Sequence, residues 1–380
     1  MQCHYYDASL CRSCSLILTP YAQQLEGKQN DARKLMAPWP GIEWLAPVAS
    51  AETGFRNKAK LVVGGSVQEP RLGILSRDGA SVDLSDCQLY TAPVADTFPV
   101  LKELISRAGL TPYSVARRKG ELKNILVTAS EAGELLIRFV LRSKKLLVPI
   151  RRELDWLHTQ LPQLAVLSIN LLREHIALVE GDEEIILSER QTLPMQVNDL
   201  TLHLRPQSFF QTNTAVSAAL YRQGQEWVKE SQPNTLWDLY CGVGGFALHA
   251  AQVMPEEAKV TGIEISPEAI ESARRAVAEY DLTGIEFSAQ DARAYALESG
   301  QVPDLLVLNP PRRGLGPELS TWIEASGIER VIYSSCNLAT MVKDLHQMPS
   351  MQAVKGRVMD MFPHSSHYET IVLLERYSLS

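Results

Sequence analysis

Short apolar runs separated by Gly, Asp and Ser clusters set the rhythm of residues 44–200. Runs at 60–63, 72–75, 125–127, 135–140, 166–169 and 185–187 have strand length, and turn-forming residues punctuate them. Between them Phe98, Leu101, Leu104, Ile105 and Ala108 recur at helical spacing, and Gly109 follows where a helix would be capped. This half is expected to be α+β and β-rich. From about residue 203 the pattern changes to strand, turn, helix. Residues 235–240 predict a strand, Cys241-Gly242-Val243-Gly244-Gly245-Phe246 a turn, and 247–251 a helix. Residues 260–265 predict the next strand, after which Ser266 caps a helix with Pro267 at its first position. Further strands are predicted at 285–287, 305–308, 331–333 and in the apolar run 369–374. Such alternation predicts an α/β domain with a parallel, doubly wound sheet that binds ligands at its carboxyl edge. The expected division is 1–200 and 201–380.

Composition narrows the classes. With 45% hydrophobic and 21% charged residues, the chain has the material for a large core and is neither disordered nor fibrous. No apolar run approaches the roughly 18 residues of a membrane span. The N-terminus has neither a basic nor an apolar export region, so a cytoplasmic protein with no membrane partner is expected. The net charge of −7 disfavours nucleic acid on average, but it is unevenly spread. Residues 1–200 carry 23 basic and 23 acidic side chains, and the rest carry 14 and 21. Within 117–152, ten bases (Arg117, Arg118, Lys119, Lys123, Arg138, Arg142, Lys144, Lys145, Arg151, Arg152) face only Glu121, Glu131 and Glu134. Such a block either holds phosphates or is a solvated face.

Four of the six cysteines, Cys3, Cys11, Cys14 and Cys87, fall in the first 87 residues. In a reducing cytosol clustered thiols point to metal ligation rather than disulfides. Zinc sites usually pair two Cys-x-x-Cys knuckles, and only one such pair is present. Three close thiols and a distant fourth suit a [4Fe-4S] cluster. Zinc and ordinary thiols stay open on spacing alone.

Gly242-x-Gly244-x-x-Ala247 after a strand, with Glu264 twenty residues past Gly244, suits a nucleotide-like cofactor whose ribose the carboxylate would bind. Nicotinamide and S-adenosylmethionine (SAM) both fit; Asp238, four residues before Gly242, favours SAM. The next strand exit, Asn309-Pro310-Pro311-Arg312-Arg313-Gly314, is stiffened by two prolines and would project the Asn309 amide into the same cleft. Tyr333-Ser334-Ser335-Cys336-Asn337 puts a thiol at the following strand end among polar neighbours, where a nucleophile is better placed than in an apolar core.

These segments, with Ser208-Phe209-Phe210-Gln211-Thr212-Asn213 and Asp360-Met361-Phe362-Pro363-His364 through Glu369, resemble the bacterial RNA uracil-C5 methyltransferases over essentially the whole chain. Together with the four early cysteines they resemble the iron–sulfur 23S rRNA members. A first cysteine at residue 3 implies the short form, without the N-terminal OB-like RNA-binding domain. The resemblance implies a Rossmann-like SAM-dependent methyltransferase domain and an N-terminal β-rich domain carrying the iron–sulfur site, with part of 17–47 packing on the catalytic domain. It implies Cys336 as nucleophile and Glu369 as base. Gln211, Tyr240, Gly242, Gly244, Glu264, Asp291 and Asn309 would hold SAM, and Cys3, Cys11, Cys14 and Cys87 a [4Fe-4S] cluster. The implied partner is 23S rRNA, naked or in an early ribosomal intermediate, met by a monomer. Tyr240 stands where relatives often have Phe, and Gly245 where the longer form has Asn.

The chemistry accounts for these residue types. Uracil C5 is a weak nucleophile, and thiolate addition at C6 makes it an enolate carbon able to accept a methyl group. A carboxylate must then remove the C5 proton so that the thiolate can leave. Arg312 would favour the thiolate; Phe209 and Phe210 would stack a flipped base or serve as core. His364 and His367 read as loop hydrogen-bonding groups. Competing readings are uracil-C5 methylation of tRNA or another RNA, a nicotinamide oxidoreductase, and a redox-sensing RNA-binding protein with an inactive fold. Cytosine-C5 enzymes place Cys after the strand-exit proline, and adenine-amino enzymes an aromatic after two prolines; Pro311 and Arg312 stand there instead.

Overall fold

A computed structural model describes residues 1–76, 79–176 and 178–377. The chain forms two compact units: residues 1–14 with 51–195, and residues 15–50 with 196–380. Strand β1 (Glu43–Trp44) comes first and belongs to the second unit.

The first unit is built on β2 (Lys58–Gly65), β3 (Pro70–Leu75), β4 (Ser81–Asp83), β5 (Leu122–Ala129), β6 (Leu135–Leu141), β7 (Leu164–Leu171) and β8 (Glu183–Ile186). They lie in the order β4-β3-β2-β5-β6-β7-β8. All pairs are antiparallel except β6 and β7, whose parallel crossover is made by helices Leu147–Arg152 and Leu154–Gln160. Every residue of β6 and β7 is buried, which is why these strands read as unbroken apolar runs rather than alternating ones. Helix Thr97–Arg107 lays Phe98, Leu101, Leu104 and Ile105, all inaccessible to solvent, into this core. The 3.6-residue stripe forms as expected, and Gly109 leaves the helix at φ +63°.

Strands β9 (Leu193–Val197) and β10 (Leu200–Leu204) form a hairpin. The second unit's sheet continues with β11 (Thr235–Leu239), β12 (Lys259–Glu264), β13 (Ile285–Ala289), β14 (Leu305–Leu308), β15 (Arg330–Ser335), β16 (Met351–Met359) and β17 (Glu369–Arg376). Its order is β1-β16-β17-β15-β14-β11-β12-β13. Strands β11 to β15 are parallel, and β17 is inserted antiparallel between β15 and β16. The order reverses at β11, so the crevice lies outside the carboxyl ends of β11, β12 and β14. The expected cap forms: Ser266 Oγ accepts the Ala269 N–H, with Pro267 at the first position of helix Pro267–Glu279.

Helix Tyr21–Leu35 belongs to this unit, although its buried face carries the polar residues Gln24 and Lys28 beside Ala32. They find partners in the loop before β17. Lys28 Nζ lies 2.6 Å from Asp360 Oδ1, with both side chains buried, and donates to the Phe362 carbonyl at 3.0 Å. The Tyr21 hydroxyl donates to Asp360 Oδ2, Gln24 meets His364, and the Tyr368 hydroxyl donates to Asp31. Burial lowers the Lys28 pKa while Asp360 holds it up. Removing one member of such a pair strands a buried charge. Lys28→Ala is therefore expected to cost about 3–5 kcal/mol in urea unfolding, and a joint Lys28→Met/Asp360→Leu change should recover most of it.

Candidate active site

The turn after β11 is shaped by backbone that side chains disfavour. Tyr240, Gly242 and Gly244 have φ of +65°, +55° and +89°. A Cβ on Gly242 would meet nothing within 4 Å, whereas one on Gly244 would lie 2.9 Å from the Phe287 ring. Gly244 is therefore required by packing, while Gly242 faces open space suited to close approach of a ligand. Helix Gly245–Ala251 starts here, and the Ala247 N–H donates to Asp238 Oδ2 at 2.9 Å. Asp238 is wholly buried; its other oxygen, Oδ1, has no hydrogen-bond partner among the described residues. Burial pushes its pKa up to about 8, with Glu264 adding to the rise.

Glu264 ends β12 and accepts from the Gly242 and Ser266 amides, which aims it back across the loop. Asp291, just past β13, caps helix Ala292–Glu298 through Oδ1 and is exposed. Asn309 follows β14 and Gln211 is buried in the segment before helix Thr214–Ser231. The strand order thus gathers Tyr240, Gly242, Glu264, Asp291 and Asn309 along one edge of the sheet. Phe209 and Phe210 part company: Phe210 is core and Phe209 is 72% exposed.

The register of β15 with β17 pairs Ser334 with Ile371 and Ser335 with Thr370. Cys336 is the next residue after β15, just past its last pair with β17, and Glu369 opens β17. Glu369 is 2% exposed, and burial pushes its carboxyl up to about 7 against a hydrogen bond from Ser334 Oγ at 2.6 Å. Cys336 is half-buried; burial raises its thiol pKa, Glu369 raises it further, and the neighbouring Arg312 guanidinium acts the other way. Arg312 is placed by its carbonyl, which accepts from Asn337 and Thr340, and by a 3.2 Å contact with His367. Below this turn Asp344 accepts from the Leu315 amide and the Tyr333 hydroxyl. Cys241 is different: it is buried, and its thiol is pushed well above the usual range, so it is inert filling.

The four early cysteines all lie in the first unit. Among the described residues no group of three or more His, Cys, Asp or Glu is arranged to hold a metal ion. The thiols are nonetheless close enough to act on one another: Cys14 is raised to about 11 by burial, then by Cys87, Cys11 and Cys3. The buried Tyr5, between Cys3 and Cys11, accepts the Asp86 amide next to Cys87.

Two of these features had no sequence signal. Ser334 stood only as a polar neighbour of Cys336, and the Lys28–Asp360 pair joins positions hundreds of residues apart.

A doubly wound sheet with this glycine turn, a carboxylate beneath it and a second at the end of β12 defines a Rossmann-like SAM-dependent methyltransferase domain. Residues 20–377 match the tRNA (Uracil-5-)-methyltransferase family, and the chain belongs to it. It is 49% identical over 375 residues to a 23S rRNA (uracil(747)-C(5))-methyltransferase RlmC of Escherichia coli K12, covering 98% of this chain and 99% of that one. The enzyme of that name from Shigella boydii matches equally. The solved Pyrococcus abyssi tRNA (uracil-54, C5)-methyltransferase, in complex with S-adenosyl-L-homocysteine, shares the fold with a TM-score of 0.79 at 23% identity, over 95% of this chain and 85% of that one.

The Glu369 pKa, near 7 when folded and 4.5 when exposed, makes stability depend on pH. The folded chain holds a proton the unfolded chain has lost, so this contribution is complete below about pH 4.5 and is lost as pH rises through 7. At about 1.36 kcal/mol per unit, Glu369→Gln should be more stable than wild type by up to about 3 kcal/mol at pH 8. The gap should close toward pH 5 in paired denaturant titrations.

Proposed function

We propose that this chain methylates C5 of a uridine in 23S rRNA, with Cys336 as nucleophile and Glu369 as base. This reading rests on the meeting of the end of β15 with the start of β17, where the buried Glu369 carboxyl acts on the Cys336 thiol. The Cys336 thiolate attacks C6, forming an S–C6 bond and moving the ring's π electrons to the enolate. SAM, when bound, would supply the methyl group that the enolate carbon accepts, its sulfur–methyl bond breaking to release S-adenosyl-L-homocysteine. Glu369 then takes the C5 proton, the S–C6 bond breaks, and the thiolate returns. Arg312 favours the thiolate, and Ser334 orients the carboxyl group. Gln211, Tyr240, Gly242, Gly244, Glu264, Asp291 and Asn309 would hold SAM; the open space at Gly242 and the aim of Glu264 support this. The exposed ring of Phe209 suits stacking on a base drawn out of its RNA.

The relatives' names as 23S rRNA methyltransferases support 23S rRNA as the substrate, naked or in an early intermediate, in the cytoplasm of a bacterium. No helix among the described residues is long and apolar enough to cross a membrane. The chain would act as a monomer.

Cys3, Cys11, Cys14 and Cys87 would hold a [4Fe-4S] cluster through their thiolates. The donor set fits, and so does Arg56: its Nε is buried without an acceptor among the described residues, and its charge acts on Cys14 and Cys87. A buried cationic donor beside four thiols suits a site that becomes negative when they are deprotonated. The cluster's role would be structural. Cys87→Ser should then lower folding yield and abolish visible absorbance; a folded, colourless and active variant would contradict that role.

Incubation with methyl-tritiated SAM and unmodified 23S rRNA should label one uridine, and absence of label in rRNA would overturn the substrate. Turnover should rise with pH as Glu369 ionises near 7, and Glu369→Gln should lower it by about 10²–10⁴-fold.

A further inference from the structure

Folding divides the ten cations of residues 117–152. Arg138 is buried in β6 and paired with Glu184 and Glu180. Arg142 and Lys145 face Glu121, Lys144 pairs with Glu183, and Lys123 donates to the Glu174 carbonyl. Arg151 and Arg152 end helix Leu147–Arg152, where the helix dipole favours positive charge. Arg117, Arg118 and Lys119 remain, consecutive and exposed. Among the described residues none of the three pairs with a carboxylate.

They sit on a braced hairpin. Ser114 and Lys119 form an antiparallel bridge, with the Ser114 amide donating to the Lys119 carbonyl at 2.7 Å. The Tyr113 amide donates to the Leu122 carbonyl at 2.8 Å. Arg142, held by Glu121, donates to the Arg118 carbonyl at 3.1 Å. Gly120, at φ +100°, lets the returning strand pass so close that a Cβ would lie 2.0 Å from the Pro112 carbonyl oxygen. The loop therefore presents three uncompensated cations on backbone already ordered, in a chain whose net charge of −7 otherwise repels a polyanion.

We propose that the 114–119 hairpin grips the phosphodiester backbone of the substrate RNA through Arg117, Arg118 and Lys119. The proposal rests on the assignment of an RNA substrate and adds where that RNA is held. Such contacts position the nucleic acid without reading its sequence. They make affinity salt-dependent, by about 0.7–0.9 in log–log slope per phosphate neutralised.

The test uses the full chain carrying Arg117→Ser, Arg118→Ser and Lys119→Ser together. RNA affinity is measured across a salt series, on the RNA that wild type labels with methyl-tritiated SAM. The log–log slope should fall by about 2–3, and affinity near 0.1 M salt by about 10–100-fold. SAM affinity and the single-turnover rate at saturating RNA should stay unchanged. An Arg117→Lys/Arg118→Lys variant, which keeps the charge, should keep the slope. A triple variant with unchanged slope and affinity overturns the proposal, as does a charge-keeping variant that loses as much as the triple one. Failure of the substrate assignment shows separately, as no label in any RNA offered to wild type.

Discussion

Strand β17 runs against its neighbour β15, and the proposed chemistry depends on that reversal. Parallel strands deliver their carboxyl ends to the ligand edge, which is how Tyr240, Glu264, Asn309 and Cys336 arrive there. An antiparallel strand inserted beside β15 delivers its amino end instead, so Glu369 enters the same edge from the opposite direction. The pairing of Ser335 with Thr370 leaves it beside the turn that carries Cys336. A one-residue slip would turn the carboxyl group to the other side of the sheet.

The position is costly for a carboxyl group. Burial raises Glu369 toward neutrality, and the Ser334 hydroxyl offsets only part of that. A group poised near pH 7 is well suited to accept a proton and pass it on, so the same desolvation that weakens the fold would tune the proposed base. The cost is contained by a rigid approach. The loop before β17 is held by Lys28, Gln24, Tyr21 and Asp31 of helix Tyr21–Leu35, and the turn carrying Arg312 is tied to Asn337 and Thr340.

Much of the fold was legible where burial follows a period. The strand–turn–helix rhythm after residue 203, the Ser266-Pro267 helix start and the stripe from Phe98 to Ile105 appear as expected, because apolar burial writes itself at intervals of two or 3.6 residues. Helix Tyr21–Leu35 left no such trace, since its buried face is Gln24, Lys28 and Ala32, satisfied by a loop more than 300 residues away. Strand β16 was hidden by Gln352, Lys355 and Arg357. Cys336 stood out as a thiol at a strand end, but its nearness to Glu369 is a matter of strand order, which local pattern does not encode. Charge counting found the basic block of 117–152, and only the fold separates Arg138, buried between two glutamates, from the exposed Arg117.

The central claim is that the Cys336 sulfur bonds to the pyrimidine ring before any methyl group moves. RNA carrying 5-fluorouridine at the target has no C5 proton for Glu369 to remove, so the adduct should persist after methylation. Mass spectrometry of the digested complex should find one nucleotide attached to the peptide bearing Cys336, and none with Cys336→Ala. An adduct on another residue, or a Cys336→Ala protein that methylates ordinary rRNA at the wild-type rate, would contradict the account.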